Sequence, residues 1–192
     1  MDSTGLLKAF RSDVVDTARP YLWSDEECWR YANDAYRMFV RLTGGVADFL
    51  SEACEIAVTT GEPLVDLHPS ILRIMDATLR STNQPVEVIN STDVGKMRST
   101  DYGQIKQLLL DDKTGRIRYL VHGMQRDKAR LVQVPEVDDF IDLHIYRTPL
   151  DMITGDGQEL TDVVEDHHLH LLDWMKHLAY KKQDADTFNP QA

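Results

Sequence analysis

Apolar residues between Leu22 and Gly45 recur at spacings of three and four, which predicts a helix that packs lengthwise on other helices. The apolar positions are Cys28, Ala32, Ala35, Phe39 and Leu42. Ser24, with Glu27 three residues later, has the pattern of a capping box at the start of this helix. The glycine pair at 44–45 is typical of a helix end, because glycine adopts the left-handed cap conformation at little cost.

The residues on either side predict two further helices. Leu7, Phe10 and Val14 indicate a first helix over about 4–18, which Pro20 ends because proline disfavours helical geometry at the residue before it. The short connection to the next helix predicts a helical hairpin. A last helix is expected to begin at Thr161 or Asp162 and to continue to about residue 182. Its predicted buried positions are Leu169, Leu172, Met175 and Leu178 or Ala179.

Between these helices the apolar period changes from about 3.6 to 2. The clearest strand is Phe140–Tyr146, with Ile141, Leu143 and Ile145 predicted to point inward. Shorter strands are expected near 56–58, 70–79, 86–88, 117–121 and 131–134, with a hairpin turn over 111–116. Ser91 or Thr92 could open one short helix within 90–100.

The order of these elements predicts an α+β protein in three parts. Residues 1–50 form an N-terminal helical hairpin, residues 51–149 a β-rich, antiparallel and sandwich-like insert, and residues 150–192 a C-terminal helix and tail. The helical parts are expected to meet in one bundle with a common core.

The composition of the chain excludes several classes of protein. It has 192 residues and 42% hydrophobic content, which suits a folded domain. No run approaches the roughly 20 apolar residues of a membrane span, and the N-terminus lacks the pattern of a signal peptide. The two cysteines, Cys28 and Cys54, have neither zinc-site spacing nor a disulfide framework, which favours synthesis in a cytoplasm.

The charge of the chain is strongly negative but unevenly distributed. The formal net charge of −11 argues against a protein that grips nucleic acid through its phosphates. Residues 96–130, however, hold nine Lys or Arg against four Asp or Glu. This excess has two interpretations, a solvated face or a basic patch that docks an acidic neighbour such as a second copy of the chain.

The densest group of chemically active side chains lies between His167 and His177. His170, Asp173 and His177 share one helical face, and imidazoles with a carboxylate could bind zinc or iron. The HExxH pattern is absent, and a contact that depends on pH is an alternative role for these histidines. Elsewhere, the Gly95–Lys96 pair lacks the remainder of a phosphate loop, and no nucleophile elbow or dinucleotide motif occurs. We therefore expect no catalytic residues, no cofactor and no bound metal.

Two stretches at opposite ends of the chain resemble one known family. The segment LWSDEECWRYANDAYRMFVR, with its core Tyr31–Ala35, is similar to the second helix of head-to-tail adaptor (connector) proteins of tailed bacteriophages. The segment from His167 to Asp186 is similar to the closing helix of that family, with a Leu-x-Asp-aromatic step followed by Ala-Tyr-x-Lys-x-Asp. Together they cover about 40 residues, and the insert offers no motif to align.

The resemblance implies a structural virion protein, assembled in the host cytoplasm, rather than an enzyme. It implies a homo-oligomeric ring, usually of twelve copies, that joins the portal protein to tail or nozzle proteins in the neck. DNA would be only the cargo that passes through the channel during ejection, and no membrane is involved. The residues expected at interfaces are Lys96, Arg98, Arg116, Arg118, Arg126, Tyr180, Lys181, Lys182 and Phe188.

Two alternatives stay open from the sequence. One is a different phage structural protein, such as a tail-completion or minor head protein. The other is a metal-dependent enzyme that uses the cluster between His167 and His177.

Overall fold

The computed structural model describes residues 1–94 and 100–182. The chain divides into two compact units. The helical unit combines Met1–Val46 with Thr148–Ala192, and the sheet unit is Ala47–Arg147. The fold is α+β, as the sequence predicts.

Up to residue 182, where the described part of the helical unit ends, it contains three α-helices and one short 3-10 helix. They are α1 (Ser3–Asp13), α2 (Asp25–Leu42), the 3-10 helix Glu165–His167 and α5 (His170–Tyr180). Helices α1 and α2 both pack on α5, so the prediction that the N-terminal helices meet the C-terminal helix is confirmed.

The ends of α2 follow from its sequence as predicted. The Ser24 hydroxyl accepts a hydrogen bond from the Glu27 amide, and the Glu27 carboxylate accepts one from the Ser24 amide, so the capping box is confirmed. At the other end, Gly44 and Gly45 have φ values of 95° and 100°. The Gly45 amide donates to the Val40 carbonyl, which satisfies one carbonyl that the last turn leaves unpaired.

The core of the helical unit lies between α1, α2, α5 and the segment that precedes α5. Cys28, Ala32, Ala35 and Leu172 are buried as predicted, and Phe39 is half-buried. Two predicted core positions are wrong. Leu42 is 78% exposed and Leu169 is 61% exposed, and Val40 and Leu171 are buried in this core instead. Leu42 occupies the last turn of α2, and Leu169 precedes α5, where the helical period no longer determines which side chain faces inward.

Two predicted helix bounds are also wrong. Helix α1 ends at Asp13 instead of about residue 18, because Asp16 draws the chain into a turn well before Pro20. The last helix begins at His170 instead of at Thr161 or Asp162. The segment before it is irregular apart from the 3-10 helix, and the Asp162 amide donates to the hydroxyl of Tyr36.

The described part of the sheet unit contains eight strands, two α-helices and one short 3-10 helix. The strands are β1 (Val46–Asp48), β2 (Glu55–Val58), β3 (Leu64–Asp66), β4 (Ile71–Leu79), β5 (Gln84–Asn90), β6 (Tyr119–Gln125), β7 (Lys128–Leu131) and β8 (Asp139–Arg147). A short 3-10 helix, Glu52–Cys54, precedes β2, and α3 (Ser91–Val94) and α4 (Thr100–Asp111) lie between β5 and β6. The strand order is β1-β8-β4-β5-β6-β7-β3, and β2 also pairs with β8.

The predicted antiparallel, sandwich-like arrangement needs two corrections. The strands form one curled sheet instead of two stacked sheets. Strands β5 and β6 are parallel, from Glu87 beside Tyr119 to Asn90 beside His122. A parallel pair requires a crossover connection, and the segment with α3 and α4 supplies it. Helix α4 ends at Asp111 and residues 112–116 follow it, so the predicted hairpin turn over 111–116 is wrong. The β6–β7 hairpin turns at Arg126–Asp127.

Two apolar clusters hold the sheet unit together. The larger fills the inside of the curled sheet, and the predicted inward residues Ile141, Leu143 and Ile145 are confirmed as buried members of it. The smaller cluster packs α4 on the parallel strands through Ile89, Ile105, Val121 and Val132. Among the described residues, no helix has the length and apolar character to cross a membrane.

Candidate subunit interface

A buried ion-pair network fixes the connection between α1 and α2. The Arg11 guanidinium contacts the carboxylates of Asp16 and Asp25, each with an N–O distance of 2.5 Å, and it also donates to the Trp23 carbonyl. Asp16 in turn accepts hydrogen bonds from the Leu22 and Trp23 amides. Because Arg11 and Asp16 are both buried, this network sets the path of the chain into α2.

Asn33 joins α2 to the segment that returns from the sheet unit. Its side-chain amide donates to the Ile153 carbonyl at 2.7 Å and to the Trp29 carbonyl at 2.9 Å, and its side-chain oxygen accepts from the Ile153 amide at 2.7 Å. Asn33 is the asparagine of the Tyr31–Ala35 core that carries the family resemblance. The helical pattern predicted its position in α2 but not this role, because hydrogen-bond partners distant in sequence leave no local periodicity.

The start of α1 holds the same returning segment at a second point. The Ser3 hydroxyl donates to the Gly155 carbonyl and accepts from the Gln158 amide, at 2.7 and 2.9 Å. The Thr4 hydroxyl accepts from the Gly157 amide at 2.8 Å. The irregular segment before α5 is therefore anchored by both N-terminal helices.

In the sheet unit, a buried pair of opposite charges supports an exposed apolar loop. Asp48 pairs with Arg147, and its carboxylate also accepts from the amides of Leu50 and Ser51. Burial alone would raise the pKa of Asp48, but its hydrogen bonds to Ser51 and Arg147 hold the pKa far below its usual range. Phe49 and Leu50 extend from this support and are 66% and 83% exposed. This exposed apolar loop is a candidate contact surface, and no periodic pattern in the sequence predicted it.

A cleft of about 800 Å³ opens beside β4, and we call it the β4–β5 cleft. It is lined by Met75–Ala77 of β4, Gln84–Val88 of β5, Arg116, Arg118 and Tyr119. Strands β4 and β5 pair only from Ala77 to Leu79 on the β4 side, and beyond that point β5 pairs with β6. The cleft is thus the opening left where the two strands diverge.

The structure places the expected interface residues in different surroundings. Arg116 and Arg118 line the β4–β5 cleft, and Arg126 is 91% exposed at the β6–β7 turn beside Asp127. In the helical unit, the Tyr180 ring packs edge-on against Trp23, and the Lys182 ammonium lies 2.8 Å from the Glu27 carboxylate. Lys181 is exposed directly after α5. Lys96, Arg98 and Phe188 lie outside the described residues.

The histidines between His167 and His177 do not form a metal site. Within residues 1–94 and 100–182, no three His, Cys, Asp or Glu side chains are placed to hold a metal ion. His168 is buried with its Nε2 atom 2.8 Å from the Val163 carbonyl, and the His177 ring stacks on Trp174. Asp173 pairs with Lys176. The cluster is therefore engaged in packing and local contacts.

Neither cysteine has the environment of a reactive thiol. Burial raises the pKa of the Cys28 thiol to about 11, and burial also raises the pKa of Cys54. A reactive cysteine needs a lowered pKa and access to solvent, and both side chains are buried.

The described surfaces define a protein whose polar networks anchor its own segments and whose exposed features suit contacts with other proteins. The chain matches the SU10 adaptor protein family over residues 1–192, and it belongs to that family. It is thus a phage adaptor, a structural protein, as the resemblance of its two ends implied. No curated protein matches the chain.

Proposed function

We propose that the protein forms a ring of about twelve copies in the neck of the virion, between the portal protein and the tail or nozzle proteins. The observation that carries this proposal is the family match over the whole chain. The buried networks of Arg11 and Asn33 are in keeping with a structural role, because their hydrogen bonds join separate segments of the protein's own fold. DNA is the cargo that passes through the ring.

The charge of the chain suits a DNA channel. A net charge of −11 repels phosphates, so DNA could move past the protein without being retained. A closed ring also needs a heterologous interface, in which one face of a copy meets a different face of the next.

We place the portal contact at the C-terminal end of the chain, from Tyr180 to Asn189. A truncation after Lys182 tests this placement, since it keeps the Lys182–Glu27 ion pair and the packing of Tyr180 on Trp23. The truncated protein should keep its melting temperature and lose at least tenfold in portal affinity. Undiminished portal binding would contradict this placement.

The ring itself is tested by native mass spectrometry and electron microscopy of the protein mixed with its candidate portal. A complex of about twelve copies on the portal, or a free ring of that size, is the expected result. A protein that binds tail components but never the portal would favour the alternative of a tail-completion protein.

A further inference from the structure

We infer that the β4–β5 cleft of one copy binds the acidic segment Thr148–Met175 of the neighbouring copy. This inference rests on the proposed ring and names the two faces that would close it.

The first observation is an open edge on a long strand. On its β5 side, β4 pairs only through Ala77–Leu79, so Ile71–Asp76 has no strand partner on that side within the described parts of the chain. The outermost strands of the sheet, β1 and β3, have only three residues each. Short edge strands limit unwanted pairing, whereas six free residues of β4 can pair with an incoming extended segment.

The second observation is the pair of irregularities in β4. The register with β8 shifts between Ile71 and Arg73 and again between Ile74 and Asp76, so Leu72 and Met75 are the extra residues. Both are exposed apolar side chains. Bulges redirect side chains at functional edges, and here they leave apolar surface beside unpaired backbone.

The third observation is the charge of the cleft. Arg116 and Arg118 are exposed, and neither pairs with a carboxylate in the described part of the chain. Two carboxylates also line the cleft: Asp76 is exposed and lies 4.0 Å from His144, and Glu87 has an interaction of its own. The two arginines have no carboxylate partner among the described residues, so they are the groups with which a carboxylate-rich partner can pair.

The chain itself contains such a partner surface. Residues 148–175 hold seven Asp or Glu and no Lys or Arg. Asp151, Glu159 and Asp166 are exposed and pair with no cation among the residues described. Met152 and Val164 add exposed apolar surface, and much of the segment is irregular and anchored by Ser3 and Asn33. The acidic segment and the cleft are different surfaces of the same chain. A contact between them is therefore head-to-tail, and head-to-tail contacts can close into a ring.

The test uses two variants with opposite charge reversals, each mixed with the portal. Arg116→Glu with Arg118→Glu replaces the two basic groups of the cleft with acidic groups, and Glu159→Lys with Asp166→Lys replaces two acidic groups of the segment with basic groups. Each variant alone should form at least tenfold fewer rings than wild type by native mass spectrometry. An equal mixture should restore ring formation, because the glutamates in the cleft of one variant then meet the lysines of the other, and the unchanged cleft meets the unchanged segment.

Matched controls carry the same change of charge elsewhere. Lys8→Glu with Arg37→Glu, and Asp34→Lys with Glu62→Lys, alter exposed side chains outside both faces and should form rings as wild type does. The inference is overturned if either reversed variant assembles normally, or if both stay folded by circular dichroism and their mixture does not assemble.

Hydrogen exchange tests the strand edge independently of charge. The amides along the unpaired edge of Ile71–Asp76, of which Met75 and Asp76 line the cleft, should exchange at least tenfold more slowly in the assembled ring than in the free chain. Protection that appears when an assembly-deficient variant binds the portal would assign the cleft to the portal and overturn the inference. Rings that form through these faces without binding the portal would instead overturn the proposed function and leave the inference standing.

Discussion

Asn33 joins two segments that lie 120 positions apart in sequence, and it satisfies both backbone polar groups of Ile153. We expect Asn33→Ala to destabilise the protein by about 2–4 kcal/mol, because each buried group left unpaired costs about 1–3 kcal/mol. Urea unfolding followed by circular dichroism measures this change. The control is Asp34→Ala on the exposed face of the same helix, which should stay within about 0.5 kcal/mol of wild type. Equal effects of the two substitutions would contradict the role of Asn33.

Asp48 makes stability depend on pH. Its pKa is lowered in the folded protein, against burial, by hydrogen bonds to Ser51 and Arg147, while the ordinary value is 3.8. A lowered pKa contributes stability that is present above the unfolded value and is lost as the pH falls toward the folded value. Asp48→Asn should cost about 3 kcal/mol at neutral pH, since Arg147 loses this buried carboxylate.

The pH test compares the free energies of unfolding of wild type and Asp48→Asn. The difference should be constant above about pH 5 and shrink once the pH falls below about 3.8. A control substitution, Asp34→Asn, changes an exposed carboxylate on α2 and should cost under about 0.5 kcal/mol at neutral pH. A difference that persists unchanged to about pH 2.5 would show that the charge of Asp48 is not the cause.

At the scale of elements, the sequence predicted best where one local pattern determines the structure. The capping box of Ser24 and Glu27 fixed the start of α2, and strict alternation fixed β8. The prediction of α1 failed because Asp16 ends the helix through hydrogen bonds to Leu22 and Trp23, which outweigh the apolar period. Such contacts depend on tertiary structure and leave no periodic signal.

Helix α4, in contrast to α1, was not predicted from the sequence at all. Its apolar residues are clustered near its C-terminal end, and Gly103 interrupts its first turns, so no clear stripe is visible in the sequence. The helix is needed because β5 and β6 are parallel and require a crossover. The presence of a crossover helix therefore follows from the strand order, and the strand order could not be predicted from the sequence.

The packing of α4 can be tested at Ile105, which is 1% exposed among Ile89, Val121 and Val132. Ile105→Ala should destabilise the protein by about 2–4 kcal/mol, because it removes buried methyl groups and leaves a cavity. Leu110→Ala is the matched control, since Leu110 is on the same helix and is 70% exposed. Urea unfolding should show no more than about 0.5 kcal/mol for the control. A loss at Leu110 as large as that at Ile105 would contradict this packing.

At the scale of the whole molecule, the sequence predicted the α+β class and the family, because both ends of the chain carry compact helical patterns. It also named Arg116 and Arg118 as interface residues, but it could not predict the cleft that they line. The β4–β5 cleft depends on where β5 leaves β4, and the arginines at 116 and 118 acquire their setting only from that divergence. The excess of basic residues in 96–130 was visible in the sequence, but the side chains that line a cleft were not.

The net charge of −11 predicts that the protein does not bind the DNA that would pass through the proposed ring. Non-specific DNA binding depends on Lys and Arg contacts to phosphates, and here Arg130, Lys128 and Lys176 are already paired with carboxylates. We expect no binding of labelled duplex DNA by fluorescence anisotropy at about 100 μM protein and about 0.15 M salt, conditions in which non-specific DNA-binding proteins do bind. The variant Glu159→Lys with Asp166→Lys is the control for charge, since it should bind DNA more tightly than wild type at about 0.05 M salt. Tight binding by the wild-type protein that weakens steeply with salt would mean that its basic residues bind DNA phosphates. That result would contradict the proposal that DNA passes through the ring without being retained.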